Sequence, residues 1–515
     1  MREQRLRWFG HVSCDAVIRR SDMITVDDST KGKGWIGVLE WLRMKLMGER
    51  LYNWATQVED ELKLMTTTET AEMQQWSKQS IYKVPEGVTV LNRSAYRPEF
   101  VSFGPYHHME SHLEPMEKHK RRALLHFLKR SRKPLASYIA ALAEVAQSLK
   151  DSYESLDPIW EDDSDRFLEL MILDGCFMLE VMRTSTLEMD DYSVNDPIFS
   201  KHGKLHVVPY IRRDMMMLEN QLPMLLLTTL VAVEKEEGTE GKWKEKEKGK
   251  GKEIVIISWK EEIAIKDEEF VNKLIREFCF PNPWFALDSS IGKCLHLLDV
   301  YRSSLLMEDT RERIAFLFMK RRSTGGAGND EVIRSAMELS DAGIRFKKSR
   351  SASLNDISFT GAGVLSLPPI VLDDTTEFTF LNLIAFERFH VEAGNEVTSY
   401  IFFMSKIIQR VEDVSLLHAA GIIKNAIGSD KAVVKLFDSL SRDVTLDPDS
   451  SLYELHGKVN RYWKERRMRV YLMHNYFRNP WAILSLIAAV FLFFFTLAQT
   501  AYTILSYHDP TKNSR

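Results

Sequence analysis

The feature that most restricts what this chain can fold into is an uncharged run of 25 residues, Trp481 to Leu505, reading WAILSLIAAVFLFFFTLAQTAYTIL. Thirteen of these residues are Leu, Ile, Val or Phe. As a helix the run spans ~37 Å, against a bilayer hydrocarbon core of about 30 Å. Each such side chain favours the bilayer centre by ~0.3–0.6 kcal/mol. Ser485, Gln499 and the threonines subtract from that sum, but no ionised group does. A buried core helix is seldom this long and apolar on every face. Asn479-Pro480 gives a natural entry, because Pro is tolerated in a first helical turn. Trp481 at one end, with Tyr502 and Tyr507 at the other, fits an aromatic belt. The expectation is a single-pass membrane anchor from Trp481 to Tyr507, followed by a short tail, 508–515.

The flanks set an orientation. Arg461, Lys464, Arg466, Arg467, Arg469 and Arg478 precede the run, with Glu465 the one acid among them. Positive charge marks the cytoplasmic side of a span. The N-terminus, MREQRLRWFGHV, lacks the apolar stretch of a signal peptide. The expectation is therefore a large cytosolic N-terminal part, inserted as a tail-anchored protein in the plasma membrane or an endomembrane. The basic cluster is read first as a topology determinant and second as a contact for anionic lipid, at ~1 kcal/mol per residue near the surface.

The rest of the chain has globular composition, with 44% hydrophobic and 28% charged residues, which excludes a wholly disordered chain. A net charge of -4 gives no field for nucleic acid. Four cysteines, at 14, 176, 279 and 294, are too few and too scattered for a disulfide scaffold or a zinc module.

Residues 1–43 differ in character from the remainder. RLRWFGHV and VIRRSDMITVD resemble the C-terminal tail of plant retrotransposon reverse transcriptases, without any of the polymerase's catalytic region. This segment is expected to lie outside the fold, as an exonised fragment or a gene-model error, with translation starting near Met44 or Met47. An amphipathic helix and linker are expected over 44–80, with Leu51, Trp54, Val58 and Leu62 at helical spacing within 51–66. A mainly α domain with a small β element is expected over 81–475. Its helices are placed at Leu113–Arg130, over Ser137–Leu156, at Asp165–Arg183 (apolar almost all round) and at Asp214–Val233, broken or kinked by Pro223. Residues 234–253 hold seven lysines and seven glutamates. Interleaved acids cancel the basic field, so the run is read as a solvated, disordered insertion rather than a nucleic-acid patch. STGGAGND, 323–330, is a second loop. Short strands are expected from about Ile344, in a stretch of changed character reaching Phe389, before helices resume in TSYIFFMSKIIQRV, LLHAAGII and VVKLFDSL.

Three constellations merit weighing for chemistry. The first is SFGPYHH, with Gly104, Pro105, Tyr106, His107 and His108, continuing through His112, His119 and His126. The last three recur every seven residues, about 10.5 Å along a helix, too far apart for one zinc. His107 and His108 with His112 are close enough in sequence to share one, but packing or capping histidines are the reading taken. The second is LDGCF, which sets Asp174 and Cys176 in an apolar helix. A thiol there is normally inert, and a buried carboxylate must satisfy donors. The third is LENQLP, with Glu219, Asn220 and Gln221, read as structural hydrogen bonding ahead of a ligand-contacting cluster. GGAG lacks the Lys-Ser/Thr of a phosphate loop. Asn92-Arg93-Ser94 is a glycosylation sequon that a cytosolic position would leave unused.

IYKVPEGVTVLNRSAYRPEFVSFGPYHH, MEKHKRRAL, FLELMILDGCFMLE, DMMMLENQLPMLLL, CLHLLDVYR and the closing NPWAILSLIAAVFLFFFTLAQTAYTIL together resemble the plant domain-of-unknown-function 247 family. They run in the family's order from about Leu51 to Tyr507. The resemblance implies a land-plant source, a mostly helical domain and one C-terminal membrane helix. It carries over no activity, cofactor, metal or catalytic residue. Some grass members are associated with self-incompatibility loci, a role that nothing in this sequence assigns to it. The leading expectation is a membrane-anchored interaction or signalling module with a lipid bilayer and a protein as partners, and no nucleic acid. The alternative is an unrecognised enzyme or small-ligand receptor, with His107, His108, Asp174, Cys176, Glu219 and Asn220 converging in one pocket. A third is a non-functional chimaeric product.

Overall fold

The helical stripes that run through most of the sequence, and the short runs after Ile344, become helices and a little sheet. The computed structural model describes residues 50–51, 53–62, 76–90, 92–187, 191–235, 252–280, 291–307, 334–442, 444, 450–472 and 480–508. The retrotransposon-like start, residues 236–251 of the insertion and the STGGAGND loop lie outside the described residues. The chain divides into two units, residues 1–77 and 78–515. The first holds helix α1 (residues 53–62), with Leu51 in the helical residues just before it and Leu51, Trp54, Val58 and Leu62 at the expected three- and four-residue spacing.

The second unit opens with an irregular segment from Lys78 to Leu113 and continues through helices α2 (Glu117–Ser131), α3 (Leu135–Asp151) and α4 (Ser164–Thr186). α2 stops where Arg132 turns left-handed at φ 56° and returns its N–H to the Leu128 carbonyl; Pro134 then bars continuation. α4 starts on Asp163, whose carboxylate accepts the Arg166 N–H. It is the central helix. Phe167, Met171, Phe177, Met178 and Val181 are all buried, which is why its sequence shows no polar face. Each such side chain contributes ~1.5–3 kcal/mol by leaving water.

The helix expected over Asp214–Val233 is two helices. α5 (Val208–Met215) and the chain from Leu218 through α6 (Met224–Lys235) meet at 106°. Pro223 cannot supply a helical N–H, and the chain has already turned at Met216–Gln221. α7 (Lys252–Cys279) completes the group, so that α4 packs against α2, α3, α6 and α7. The insertion boundary therefore moves inward. Glu234 and Lys235 end α6, held by Arg183 (2.5 Å) and Asp267 (2.8 Å), and Lys252 begins α7, a helix that the sequence pattern does not announce.

Helices α8 (Leu297–Leu306) and α9 (Ala336–Asp341) lead to β1 (Arg345–Lys348), β2 (Ser358–Thr360), β3 (Val364–Leu367) and β4 (Ile370–Leu372). The order is β1-β3-β2. β1 lies parallel to β3 with Arg345 opposite Val364, and β2 lies antiparallel to it with Phe359 opposite Leu365. The stretch of changed character reaching Phe389 is strand only as far as Leu372. Thr376–Phe389 is helix α10, which buries Phe380, Leu383, Ile384 and Phe386. Helices α11 (Glu396–Ile407) and α12 (Val411–Ala419) come next. LLHAAGII is not one helix: Gly421, at φ 71°, turns the chain, and Ile423–Asn425 form β5 beside β4. α13 (Asp430–Leu440) and α14 (Ser451–Leu472) end the packed part, and the whole forms one apolar core.

α15 (Pro480–His508) is a continuous 29-residue helix. Among the described residues it is the one helix long and apolar enough by itself to cross a membrane, over Leu484–Leu505, and none of that stretch is buried. α5 and α6 together share the composition, but they are sharply bent and bury Ile211, Met215, Leu226, Leu227 and Leu230 in the core.

Gly175 marks the closest approach of α4 to α6. A Cβ there stands 2.6 Å from Leu230 Cδ1 and 3.2 Å from Leu226 Cδ2. Gly175→Ala is expected to cost about 1–3 kcal/mol through overpacking, read as a lowered denaturation midpoint of the detergent-solubilised chain.

Candidate functional site

Within Ser80–His108, residues 101–107 are buried apart from half-buried Tyr106 and form neither helix nor strand, so the backbone polar groups there need partners from elsewhere. Polar side chains on the helices supply them. Asp214 Oδ2 accepts the N–H groups of Phe100 (2.6 Å) and Val101 (2.9 Å). Asn220 Oδ1 accepts Phe103 N–H at 2.6 Å, while its Nδ2 donates to the carbonyls of Val101 and Asp214. Asp174 Oδ2 accepts Gly104 N–H at 2.8 Å. Glu219 Oε1 accepts Val84 N–H at 2.7 Å. Asn382 takes Leu218 N–H and donates to Ala95 O. His296 Nε2 donates to Ser80 O at 3.0 Å, and its Nδ1 accepts the Asp299 N–H.

The motif residues fall mostly into this network. Gly104 adopts φ +72°, and a Cβ there stands 2.8 Å from the Tyr153 hydroxyl and 3.2 Å from Gln221 O, so its small size is required twice over. Pro105 is buried beside it. Tyr106 donates to Ile81 O and meets Tyr153 edge-on. Gln221 donates to Met215 O and Met217 O and accepts Leu298 N–H, bracing the bend between α5 and α6 against α8.

Two charged clusters sit in the same core. Asp174 Oδ1 lies 2.6 Å from Lys120 Nζ, and both residues are fully buried. Lys120 also pairs with Glu117 (2.6 Å) and donates to Ser102 Oγ. Burial pushes the Asp174 carboxyl up to about 6, with Lys120 opposing. His107 lies between two carboxylates, with Nδ1 2.7 Å from Glu110 and Nε2 2.9 Å from Glu219. Burial alone lowers an imidazole; here the bonds to Glu219 and Glu110 outweigh it and raise His107 above its ordinary value. Both ring nitrogens are thus committed to carboxylates.

The other candidates stand apart. Cys176 is buried, and burial, followed by the Glu180 carboxylate, holds its thiol well above the ordinary range, in the protonated and unreactive form. His108 is half-buried and packs edge-on against Trp160. His112 donates to Pro98 O, and His126 stacks on Tyr192 at 4.1 Å. Among the described residues no three His, Cys, Asp or Glu side chains are placed to hold one metal ion. The two leading cavities, about 180 Å³ and 390 Å³, include none of the motif residues in their walls. The geometry braces a loop.

Sequence reasoning missed Lys120, Asp214, Asn382 and His296. For Lys120 a signal existed. It shares the face of α2 that carries Ala123 and Phe127, and a lysine on an apolar stripe implies a buried counter-charge.

A family model described as DUF247, plant protein of unknown function, matches residues 81–495. The UPF0481 protein At3g47200 of Arabidopsis thaliana is 30% identical over 455 residues, covering 84% of this chain and 88% of that protein. The putative UPF0481 protein At3g02645, from the same plant, is 24% identical over 496 residues, covering 83% and 90%. No solved structure matches.

Asp174→Asn keeps an acceptor for Gly104 but removes the charge facing Lys120. We expect a loss of about 3 kcal/mol in equilibrium unfolding, partly recovered in the double variant with Lys120→Met. A pH series separates two histidines. His107 is raised, so its stabilising effect is complete below about pH 6.5 and fades as pH climbs through the higher folded value. His296 is lowered by burial to about 3, so its effect is present above about pH 6.5 and is lost as pH falls toward that value. Denaturant titrations are expected to show His107→Gln costing more at pH 6 than at pH 9. His296→Gln is expected to cost more at pH 8 than at pH 5.

Proposed function

Since this chain belongs to the DUF247 family of plant proteins of unknown function, we propose from its own architecture that it is a membrane-anchored interaction module. One observation carries the reading: Leu484–Leu505 is helical, uncharged and without cover from the rest of the protein. An apolar helix of that length left in water exposes far more contiguous apolar surface than soluble proteins tolerate, and a bilayer removes it. The basic residues of α14 and the stretch after it lie on its N-terminal side, so the folded domain faces the cytosol. There the domain is held near the lipid headgroups and presents its surface to a protein partner. The polar side chains of its motifs bind the chain's own backbone, which favours recognition by surface over catalysis at those motifs.

Two measurements on microsomes test this. The full-length chain is expected to resist alkaline extraction. A tag placed N-terminal to the domain is expected to be digested by protease added to intact vesicles, while a C-terminal tag is protected. Extraction of the chain by alkali, or a glycan on Asn92, overturns the reading.

A further inference from the structure

Away from the motif network, the small sheet leaves backbone unpaired. β1 lies at one edge of the order β1-β3-β2. Arg345 and Ser349 donate their N–H groups to Gly363 O and Leu367 O, on the β3 side. Parallel pairing uses alternate residues, so Phe346 turns its N–H and C=O to the outer edge, where neither meets a hydrogen-bond partner among the described residues. Such an edge is a template for a further strand. Beside it, an open groove of about 390 Å³ lies between β1 and the ends of α9 and α12. Ile344, Phe346, Leu416 and Ala420 give the groove an apolar wall, and no acidic side chain is among its described lining.

Charge supplies the second observation. The run 344–350, IRFKKSR, holds four cations and no acid. Arg345, Lys347 and Arg350 are exposed, and none of the three has an ion-pair partner among the described residues. Arg345 and Lys347 share one face of β1, in register with Val364 and Ser366 of β3, while half-buried Phe346 lies on the other face. Cations on an edge strand guard against self-association, because a second copy of β1 would set like charges side by side. The same cations favour a strand that brings acids to those positions.

We propose that the outer edge of β1 takes a short acidic peptide of a protein partner as an added strand. Its main chain bonds to Phe346, its acidic side chains lie beside Arg345 and Lys347, and an apolar side chain between them lies beside Phe346 at the groove. In strand addition the main-chain bonds give affinity and alternate side chains give selectivity. The four residues of β1 extend ~13 Å, so the recognised core is about three or four residues of alternating acidic and apolar character. Anionic lipid headgroups would meet the same cations but leave the Phe346 N–H and C=O unused, which favours the peptide. The proposal deepens the interaction reading above, on which it rests, by naming the partner class; it is independent of membrane crossing.

The test uses the full-length chain in detergent micelles and the fluorescence anisotropy of a labelled, end-capped peptide, Glu-Val-Glu-Val-Glu. One control is Lys-Val-Lys-Val-Lys. The other is the acidic peptide with every backbone nitrogen methylated, which keeps the charge and removes the main-chain donors. The acidic peptide is expected to bind with a Kd of about 0.1–1 mM, as suits so small a contact, and both controls at least about tenfold more weakly. The double variant Arg345→Glu with Lys347→Glu changes two exposed side chains. It is expected to lose the acidic peptide by about tenfold or more and to gain the basic one, with the thermal midpoint unchanged as a check on folding. The two peptide controls are read on the unaltered chain and so stand whatever the variant does. The proposal is overturned by no saturable signal up to about 5 mM, or by the methylated peptide binding as well as its parent, which leaves a charged patch without strand addition. It is also overturned by an unchanged peptide preference in the folded double variant, or by complete loss of the peptide when phosphatidylserine is mixed into the micelles, which assigns the edge to lipid. Extraction of the chain from microsomes by alkali would leave this result untouched, and failure here would leave the membrane reading untouched.

Discussion

Irregular backbone inside an apolar core is the constraint around which this protein is arranged. The segment Ser80–His108 enters the interior at several points, its stretch 101–107 has no ladder or helix to satisfy it, and an unpaired buried peptide group costs about 1–3 kcal/mol. The helices answer with side chains. Asp214, Asn220, Asp174, Glu219, Asn382 and His296 each bind backbone of this segment or of the bend beneath it. The acids bring a second requirement, since a carboxylate without a partner is costlier still. Lys120 meets it for Asp174, and His107 for Glu219. Fold and motif are one matter here: the polar letters in LDG and LENQ stand among bulky apolar neighbours because a loop must be held there.

What the sequence discloses obeys the same physics. Apolar periodicity locates α4, α2 and α3 to within a few residues, and Gly and Pro punctuation locates the short strands. Buried hydrogen bonding is legible for Asp174 and the LENQ residues, because a polar side chain in an apolar run has to be satisfied. Their partners are not legible, since Lys120, Gly104 and Phe103 come from other segments and pairing is a property of the folded chain. α7 is hidden because KEEIAIKDEEF interleaves charge with isoleucine and comes directly after a Lys/Glu run, so composition masks the stripe that buries Val271, Leu274, Ile275 and Phe278. The stretch 376–386 is grouped with the strands for a related reason. Its Thr, Phe and Leu residues suit either state, and only packing against α11 and α13 decides for helix.

α4 and α15 show two uses of an apolar helix. α4 is covered by four helices and carries Asp174, Glu180 and Arg183, each matched by Lys120, Arg130 or Glu234. α15 has no ionised side chain through its span and no cover. Its threonines at 496, 500 and 503 bond back to carbonyls one turn earlier, which meets their polar demand within the helix. The first is enclosed by protein and the second is left uncovered by it, and the DUF247 match spans from the braced loop into that second helix.

Side chains, rather than secondary structure, lock the interior loop, and amide hydrogen exchange over residues 99–106 tests this most directly. The N–H groups of Val101, Phe103 and Gly104 are expected to exchange as slowly as those in the middle of α4, and Asn220→Ala to speed the loop selectively. Exchange of these amides within seconds in the unaltered protein, at the pace of an open surface loop, contradicts it.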